Sequence, residues 1–332
     1  MKAKKLLNAI LRWAGRVALV VLILFLGLIT FLLIRESIAR NKYRAEYPPL
    51  GRMVSLDTHA IHLYCVGTGS PTVVFESDLD QYGTLSWDSV QDEIGEFTRA
   101  CSYDRAGIMW SEPGPRPRDG KTIAGELAAV LNAAGEDGPY VLVGHAFGGA
   151  YARIFAGQNP EAVCGMVLVD SSHPDQLTRF AEVGLEKEIP PKQIRSLILL
   201  LSHLGMPGRF KGNIYHLSPN VYDPVQAFLP ESSMAWFDES VEAPNTLAQA
   251  GQYEHLDDIP LIVLAAARSS QNLQNQDLQR EWLELQQELT LLSDNSEIRM
   301  LEEAGHYIQF DQPTAVVEAV RDVVQHCSKT SP

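Results

Sequence analysis

Two stretches carry most of the chemical signal in this sequence. Ala146 is the centre of Val141-Leu142-Val143-Gly144-His145-Ala146-Phe147-Gly148-Gly149, and His306 lies in Ala304-Gly305-His306-Tyr307-Ile308-Gln309. In the first, an apolar strand enters a Gly-x-x-x-Gly turn and leaves as a small-residue helix. That is the frame of a nucleophile elbow, which holds its middle residue in a sharp, strained turn at the top of a sheet. The following helix offers an N-terminal dipole and the free N–H of Phe147, both suited to an oxyanion. The middle residue is an alanine, whose methyl group cannot attack anything. His306 sits on a loop ahead of the C-terminal helix. An imidazole, with an ordinary pKa of about 6.5, can accept and return a proton near neutrality.

The elements that must position these residues follow from hydrophobic patterning. Short β-branched runs at 52–56, 61–66, 72–75, 99–103, 140–143, 165–169, 261–265 and 297–301 read as strands. Several are continuously apolar, as expected of parallel strands buried on both faces. Helical patterns at 85–97, 121–134, 148–157 and 313–327 alternate with them. The alternation predicts an α/β fold, a mostly parallel, doubly wound sheet of about eight strands with right-handed crossovers. The first two strands lack an intervening helix and read as a hairpin edge. From 171 to 258 no strand is apparent, while 192–204 and 234–242 read as helices. An insertion of that length is too long for a loop and predicts a helical cap after the sixth strand. The core is therefore expected in two parts, 45–170 and 259–332.

These features together resemble the α/β-hydrolase superfamily, and within it the lid-bearing serine hydrolases, whose elbow reads Gly-His-Ser-x-Gly-Gly. The likeness extends over most of residues 50–328 and includes Phe75-Glu76-Ser77, Tyr103-Asp104-Arg105-Ala106-Gly107 and Val169-Asp170-Ser171-Ser172-His173. It implies that position 146 is the nucleophile position, where Ser is expected, and that His306 is the general base. Asp170, closing the sixth strand, is the implied acid that orients the imidazole, with Asp277 the alternative. The N–H groups of Phe147 and Leu79 are the implied oxyanion donors. At the latter turn this chain has Ser77-Asp78-Leu79-Asp80 where Ser-Gly-Leu-Gly is more usual. Two carboxylates there oppose the developing charge unless they point outward, and they mark candidate substrate contacts. Asp104 and Arg105 are expected to form a structural ion pair or hydrogen-bond network at the sheet edge, His145 to pack within the elbow, and Trp87, Trp110 and Trp236 to line the pocket or pack core and lid.

The implied activity is cleavage of a carboxylic ester or lactone of a fairly apolar substrate through an acyl-enzyme. Ala146 makes this chain an inactive Ser-to-Ala form of that enzyme, since the glycines, Asp170 and His306 are all retained. The alternatives are a natural pseudo-hydrolase that binds ligand at a membrane and a parent nucleophile of Asp.

Charge is divided unevenly. Residues 1–44 hold nine Lys or Arg and one acid, Glu36, whereas the remainder holds 18 basic and 40 acidic residues. The acidic body argues against nucleic acid as a partner. Residues 17–34 are 18 consecutive uncharged positions. As a helix they extend about 27 Å, enough to cross most of a bilayer core. This predicts a single-pass anchor within 1–44, with the body outside the cytoplasm, periplasmic or extracellular. Cys65, Cys101, Cys164 and Cys327 show no metal-ligand spacing, so neither a metal nor a cofactor is expected.

Overall fold

The computed structural model describes residues 2–185, 189–206, 218–267 and 276–330. Helix α1 (Lys2–Glu46) leads into β1 (Arg52–Ser55), β2 (Ala60–Val66) and β3 (Thr72–Glu76). A 3-10 turn at Gly83–Trp87 and α2 (Gln91–Gly95) precede β4 (Arg99–Tyr103), α3 (Gly120–Ala134), β5 (Tyr140–His145), α4 (Phe147–Gln158) and β6 (Val163–Val169). The inserted segment contributes α5 (Gln176–Glu182), α6 (Arg195–His203), α7 (Pro219–Val241) and α8 (Ala243–Ala250). The chain then returns through β7 (Leu261–Ala266), α9 (Gln276–Glu288), β8 (Ser296–Leu301), α10 (Ile308–Asp311) and α11 (Pro313–Thr330).

The strands form one sheet in the order β1-β2-β4-β3-β5-β6-β7-β8. The β1–β2 and β2–β4 pairs are antiparallel, and every other pair is parallel. Strands β3, β5 and β7 are buried at every residue, which is why they read as unbroken apolar runs. Successive residues serve opposite layers. Val74, Leu142 and Leu168 join Leu127, Ile154 and Leu247 on one side, while Val73, Val143 and Val169 join Trp87, Ile94 and Val320 on the other. Two disulfides, Cys65–Cys101 and Cys164–Cys327, tie β2 to β4 and β6 to α11.

One expected helix is divided. The 85–97 pattern becomes the 3-10 turn followed by α2, separated at Val90, whose φ of −132° is not helical. The Asp104 carboxylate starts the turn early by accepting the Thr84 N–H at 2.7 Å. Leu85 then packs beneath the lid and Trp87 beneath the sheet.

Asp104 and Arg105 each enter a structural hydrogen-bond network, with other partners and not with each other, because neighbours in extended chain point to opposite sides. His62 Nδ1 lies 2.9 Å from Asp104 Oδ2. Arg105 crosses into the inserted segment, donating from Nε and Nη2 to Glu239 of α7 at 3.1 and 3.0 Å. Its Nη1 also donates to the Ser77 carbonyl at 2.8 Å, and its Nη2 to the Asp78 carbonyl at 2.6 Å. One guanidinium therefore joins three segments: the β4 turn, the lid, and the turn after β3.

Other contacts of the inserted segment reach α1. Tyr43 and Tyr47 pack on the cluster of Val221, Val225 and Phe228. Arg40 and Arg44 approach Glu231 of α7 at 3.6 and 2.8 Å, and Arg40 donates to the Ser202 carbonyl of α6 at 2.6 Å. Along the apolar length of α1, Leu22, Leu24, Phe25 and Phe31 are all more than half exposed.

Removing one partner of the buried Arg105–Glu239 pair strands a charge. Arg105→Ala is expected to destabilise the fold by about 3–5 kcal/mol, read as a lower denaturant midpoint at unchanged slope. A loss under about 1 kcal/mol would show that the strut is not needed.

Candidate active site

The elbow is built as its glycines require. Ala146 joins β5 to α4 with φ 48° and ψ −119°, a conformation that costs a non-glycine residue about 1–3 kcal/mol. Its N–H donates to the Val169 carbonyl at 3.1 Å, and its carbonyl accepts from Ser172 N at 2.9 Å, so both neighbours of the turn hold it in place. At Gly148 a Cβ would collide with the Glu76 and Ser77 carbonyls, so only glycine lets α4 lie against the end of β3. The strain persists although the residue bearing it has no reactive atom.

Asp170 ends β6, also at positive φ, 44°. Its Oδ2 accepts from His306 Nδ1 at 2.7 Å. Its Oδ1 accepts from Ala266 N at 3.1 Å and Trp282 Nε1 at 2.9 Å, which leaves the carboxylate no freedom to rotate. The structure thus brings Asp170 and His306 together beside the elbow. Asp277 stands apart, 60% exposed and paired with Arg280. His145 Nε2–H donates to the His306 carbonyl at 2.9 Å, fixing the loop that carries His306. Burial and the nearby His306 charge press His145 down to about 4, so it is neutral. Aromatic rings enclose the imidazole: those of Tyr307 and Trp282 lie 5.4 and 6.2 Å from it.

At the turn after β3, Asp78 points inward. Its Oδ1 accepts the N–H groups of Leu79 at 2.6 Å and Phe147 at 3.0 Å, the two donors expected to hold a substrate oxyanion. Its Oδ2 lies 3.9 Å from His306 Nε2. A carboxylate of the chain itself fills the cradle. The physical reason is that two converging N–H groups beside a cationic imidazole form an anion site, and Asp78 is the nearest anion.

The titrations follow from this geometry. Burial raises the Asp78 carboxyl, but His306, the His145 ring and the Phe147 N–H outweigh it and hold the group well below the usual carboxylate range. Partial enclosure works against a charged His306, but hydrogen bonds to Asp170 and Asp78 overcome it and push the ring up to about 10. Asp80 goes the other way: burial and then the Asp78 charge raise it well above an ordinary carboxyl. Its Oδ1 accepts from Tyr82 N at 2.9 Å, while its Oδ2 is buried with no hydrogen-bond partner among the described residues.

Of the tryptophans considered, Trp236 approaches the site, donating to the Leu79 carbonyl at 3.2 Å. Trp87 is wholly buried against Phe75, and Trp110 packs on His62 and Phe228. Trp282 and Tyr307 are the site residues that sequence reasoning missed. Tyr307 directly follows His306 and was available as a signal, whereas Trp282 arrives from α9 by tertiary packing alone.

Geometry and sequence comparison agree on the class. The profile of the alpha/beta hydrolase family matches residues 68–319, and the chain belongs to that family. It is 26% identical to an esterase of Mycobacterium tuberculosis over 90% of this chain and 96% of that protein. It is likewise 26% identical to the YqjL protein of Bacillus subtilis, over 80% of this chain and 88% of the relative. Against a fission yeast relative, also 26% identical over 65% of this chain, it spans 39% of that protein's length. In fold it is similar to a thermophilic esterase from Thermogutta terrifontis (TM-score 0.58, 16% identity, 83% of this chain and 97% of that one). It is similar also to the epoxide hydrolase CorEH (TM-score 0.57, 18% identity, 82% and 97%). The fold is that of the α/β hydrolases, carrying one apolar N-terminal helix long enough to cross a membrane.

The raised His306 titration has a definite sign. Its contribution to stability is complete below about pH 6.5 and is lost as pH climbs through about 10. Replacing Asp78 by Asn removes one of the two supporting anions and lowers that titration. Proton–carbon NMR of labelled histidine reads both, and a His306 midpoint near the ordinary imidazole value in the unaltered protein would contradict the arrangement.

Proposed function

We propose that this chain keeps the frame of a carboxylic ester or lactone hydrolase in which acyl transfer through position 146 is closed. The observation that carries the reading is the 2.7 Å Asp170–His306 contact beside an elbow whose backbone retains its strained form. With Ser at 146, His306 would take the hydroxyl proton as the oxygen attacks the carbonyl, and Asp170 would stabilise the imidazolium. The N–H groups of Phe147 and Leu79 would hold the oxyanion, and water activated by His306 would release the acid. The similarity to the mycobacterial esterase supports the ester class. The exposed Leu197, Leu199 and Leu200 of the lid favour an apolar substrate.

Two features close this route. Ala146 has no nucleophile, and Asp78 occupies the donors that would stabilise the intermediate. A Ser replaced in isolation accounts for the first alone. The second favours the other reading, a chain whose centre has diverged from acyl transfer as it stands.

Residues 17–34 anchor the body to a lipid bilayer in this proposal. Disulfides form and persist in oxidising compartments, so Cys65–Cys101 and Cys164–Cys327 support a body outside the cytoplasm. Alkaline carbonate washing of membranes should leave the full chain in the pellet; release into the supernatant would refute the span.

Reopening the route takes two changes. The Ala146→Ser, Asp78→Gly double variant is expected to hydrolyse p-nitrophenyl butyrate. Ala146→Ser alone should be slower by about 100- to 1,000-fold, the cost of losing oxyanion donors. A folded double variant that does no better than buffer would remove the acyl-transfer reading.

A further inference from the structure

Acyl transfer leaves one reactive group at the centre of the site without a role. Asp78 is an ionised carboxylate with one oxygen in the N–H cradle and the other 3.9 Å from the base. We propose that Asp78 is itself a nucleophile: its Oδ2 attacks a carbon of an epoxide, and the alkyl ester so formed is cleaved by water that His306 activates. This rests on the same reading of His306, Phe147 and Leu79 given above, but not on chemistry at position 146.

The placement of the two oxygens separates this role from that of a general base. A carboxylate acting as base would leave a substrate oxyanion without donors, because both N–H groups already point at Oδ1. An ester formed through Oδ2 keeps Oδ1 as its carbonyl oxygen inside the cradle. Attack of water at Cγ then places negative charge on Oδ1, where the donors already converge. Ala146 fits the same logic, since its methyl group, 3% exposed, leaves the elbow without a competing nucleophile.

The placement of His306 between two carboxylates, 2.7 Å from Asp170 and 3.9 Å from Asp78, selects the electrophile. While Asp78 is charged, the imidazole holds a proton that it can give to a leaving oxygen. An epoxide supplies an oxygen that stays on the substrate and needs a proton. In the first half, the Asp78 Oδ2 electron pair forms the C–O bond, the ring C–O bond breaks, and its oxygen takes the His306 proton. Alkylation neutralises Asp78 and removes one of the two anions that held that proton. The now neutral imidazole takes a proton from water as the water oxygen attacks Cγ. Collapse of the tetrahedral oxyanion breaks the Cγ–Oδ2 bond, and Oδ2 leaves on the substrate carbon as an alcohol with a proton from the new Asp78 carboxyl, so that Asp78 keeps Oδ1 and the oxygen of water. Asp78 is again a carboxylate, His306 again an imidazolium, and the net change is epoxide plus water to diol. Burial and the Asp78 charge raise the Asp80 carboxyl two residues away, which disfavours a second negative charge in the turn.

The test uses the full chain in detergent micelles, with styrene oxide and epoxyhexane in heavy-oxygen water. The expected products are the diols, and over many turnovers the peptide bearing Asp78 gains heavy oxygen by mass spectrometry. Asp78→Asn should cut turnover at least about 1,000-fold. Diol formed without label in that peptide, or no diol from either epoxide, overturns the proposal. The outcome is separable from that of the ester reading. Ester turnover by the Ala146→Ser, Asp78→Gly variant beside an unaltered chain inert to epoxides removes the role of Asp78 alone. Labelled Asp78 beside a silent double variant removes the acyl-transfer reading alone.

Discussion

One cation held between two anions governs this site. His306 faces Asp170 at 2.7 Å on one side and Asp78 at 3.9 Å on the other. Each carboxylate is fixed by further donors: Asp170 by Ala266 and Trp282, Asp78 by Leu79 and Phe147. The arrangement is mutually dependent. The imidazolium is stable because both anions are present, and Asp78 remains ionised while largely buried because the imidazolium faces it. Loss of any one charge shifts the proton balance of the others.

The surrounding fold makes that balance possible by holding three separate segments in register. The β3 turn brings Asp78, the β5–α4 elbow brings the Phe147 N–H, and the loop after β8 brings His306. Arg105 binds the first of these to α7 through Ser77, Asp78 and Glu239. A single buried guanidinium thus sets where the Asp78 backbone lies, and so where its carboxylate can reach. The conformational strain at Ala146 and Asp170 is retained in a centre that lacks a hydroxyl, which is expected when the turn positions N–H groups as much as a nucleophile.

Much of this was legible beforehand, because the signals were local. Apolar runs located the parallel strands within a residue or two, and the glycines of the elbow marked the strand-to-helix turn. Non-local choices were not legible. Nothing near Asp78 in sequence shows that its carboxylate turns toward Phe147, 69 positions away, rather than toward solvent. The partner of Arg105 lies 134 positions away, and the neighbouring Asp104 was the more obvious candidate. The division of the 85–97 helix depended on Asp104 reaching Thr84. In each case the deciding term is a buried charge or N–H group seeking a partner, which periodicity does not encode.

The continuity of α1 from its apolar length to the lid contacts has a mechanical consequence. From position 34 to the end of α1 at Glu46 the helix rises about 18 Å. The clamp of Arg40 and Arg44 on Glu231 leaves little freedom at its far end. With residues 17–34 in a bilayer, the body would be mounted on a stiff post at a set height, not tethered by a floppy cord. Lipophilic molecules would then reach the lid by lateral diffusion in two dimensions, and their supply would follow their partition coefficient more than their concentration in water.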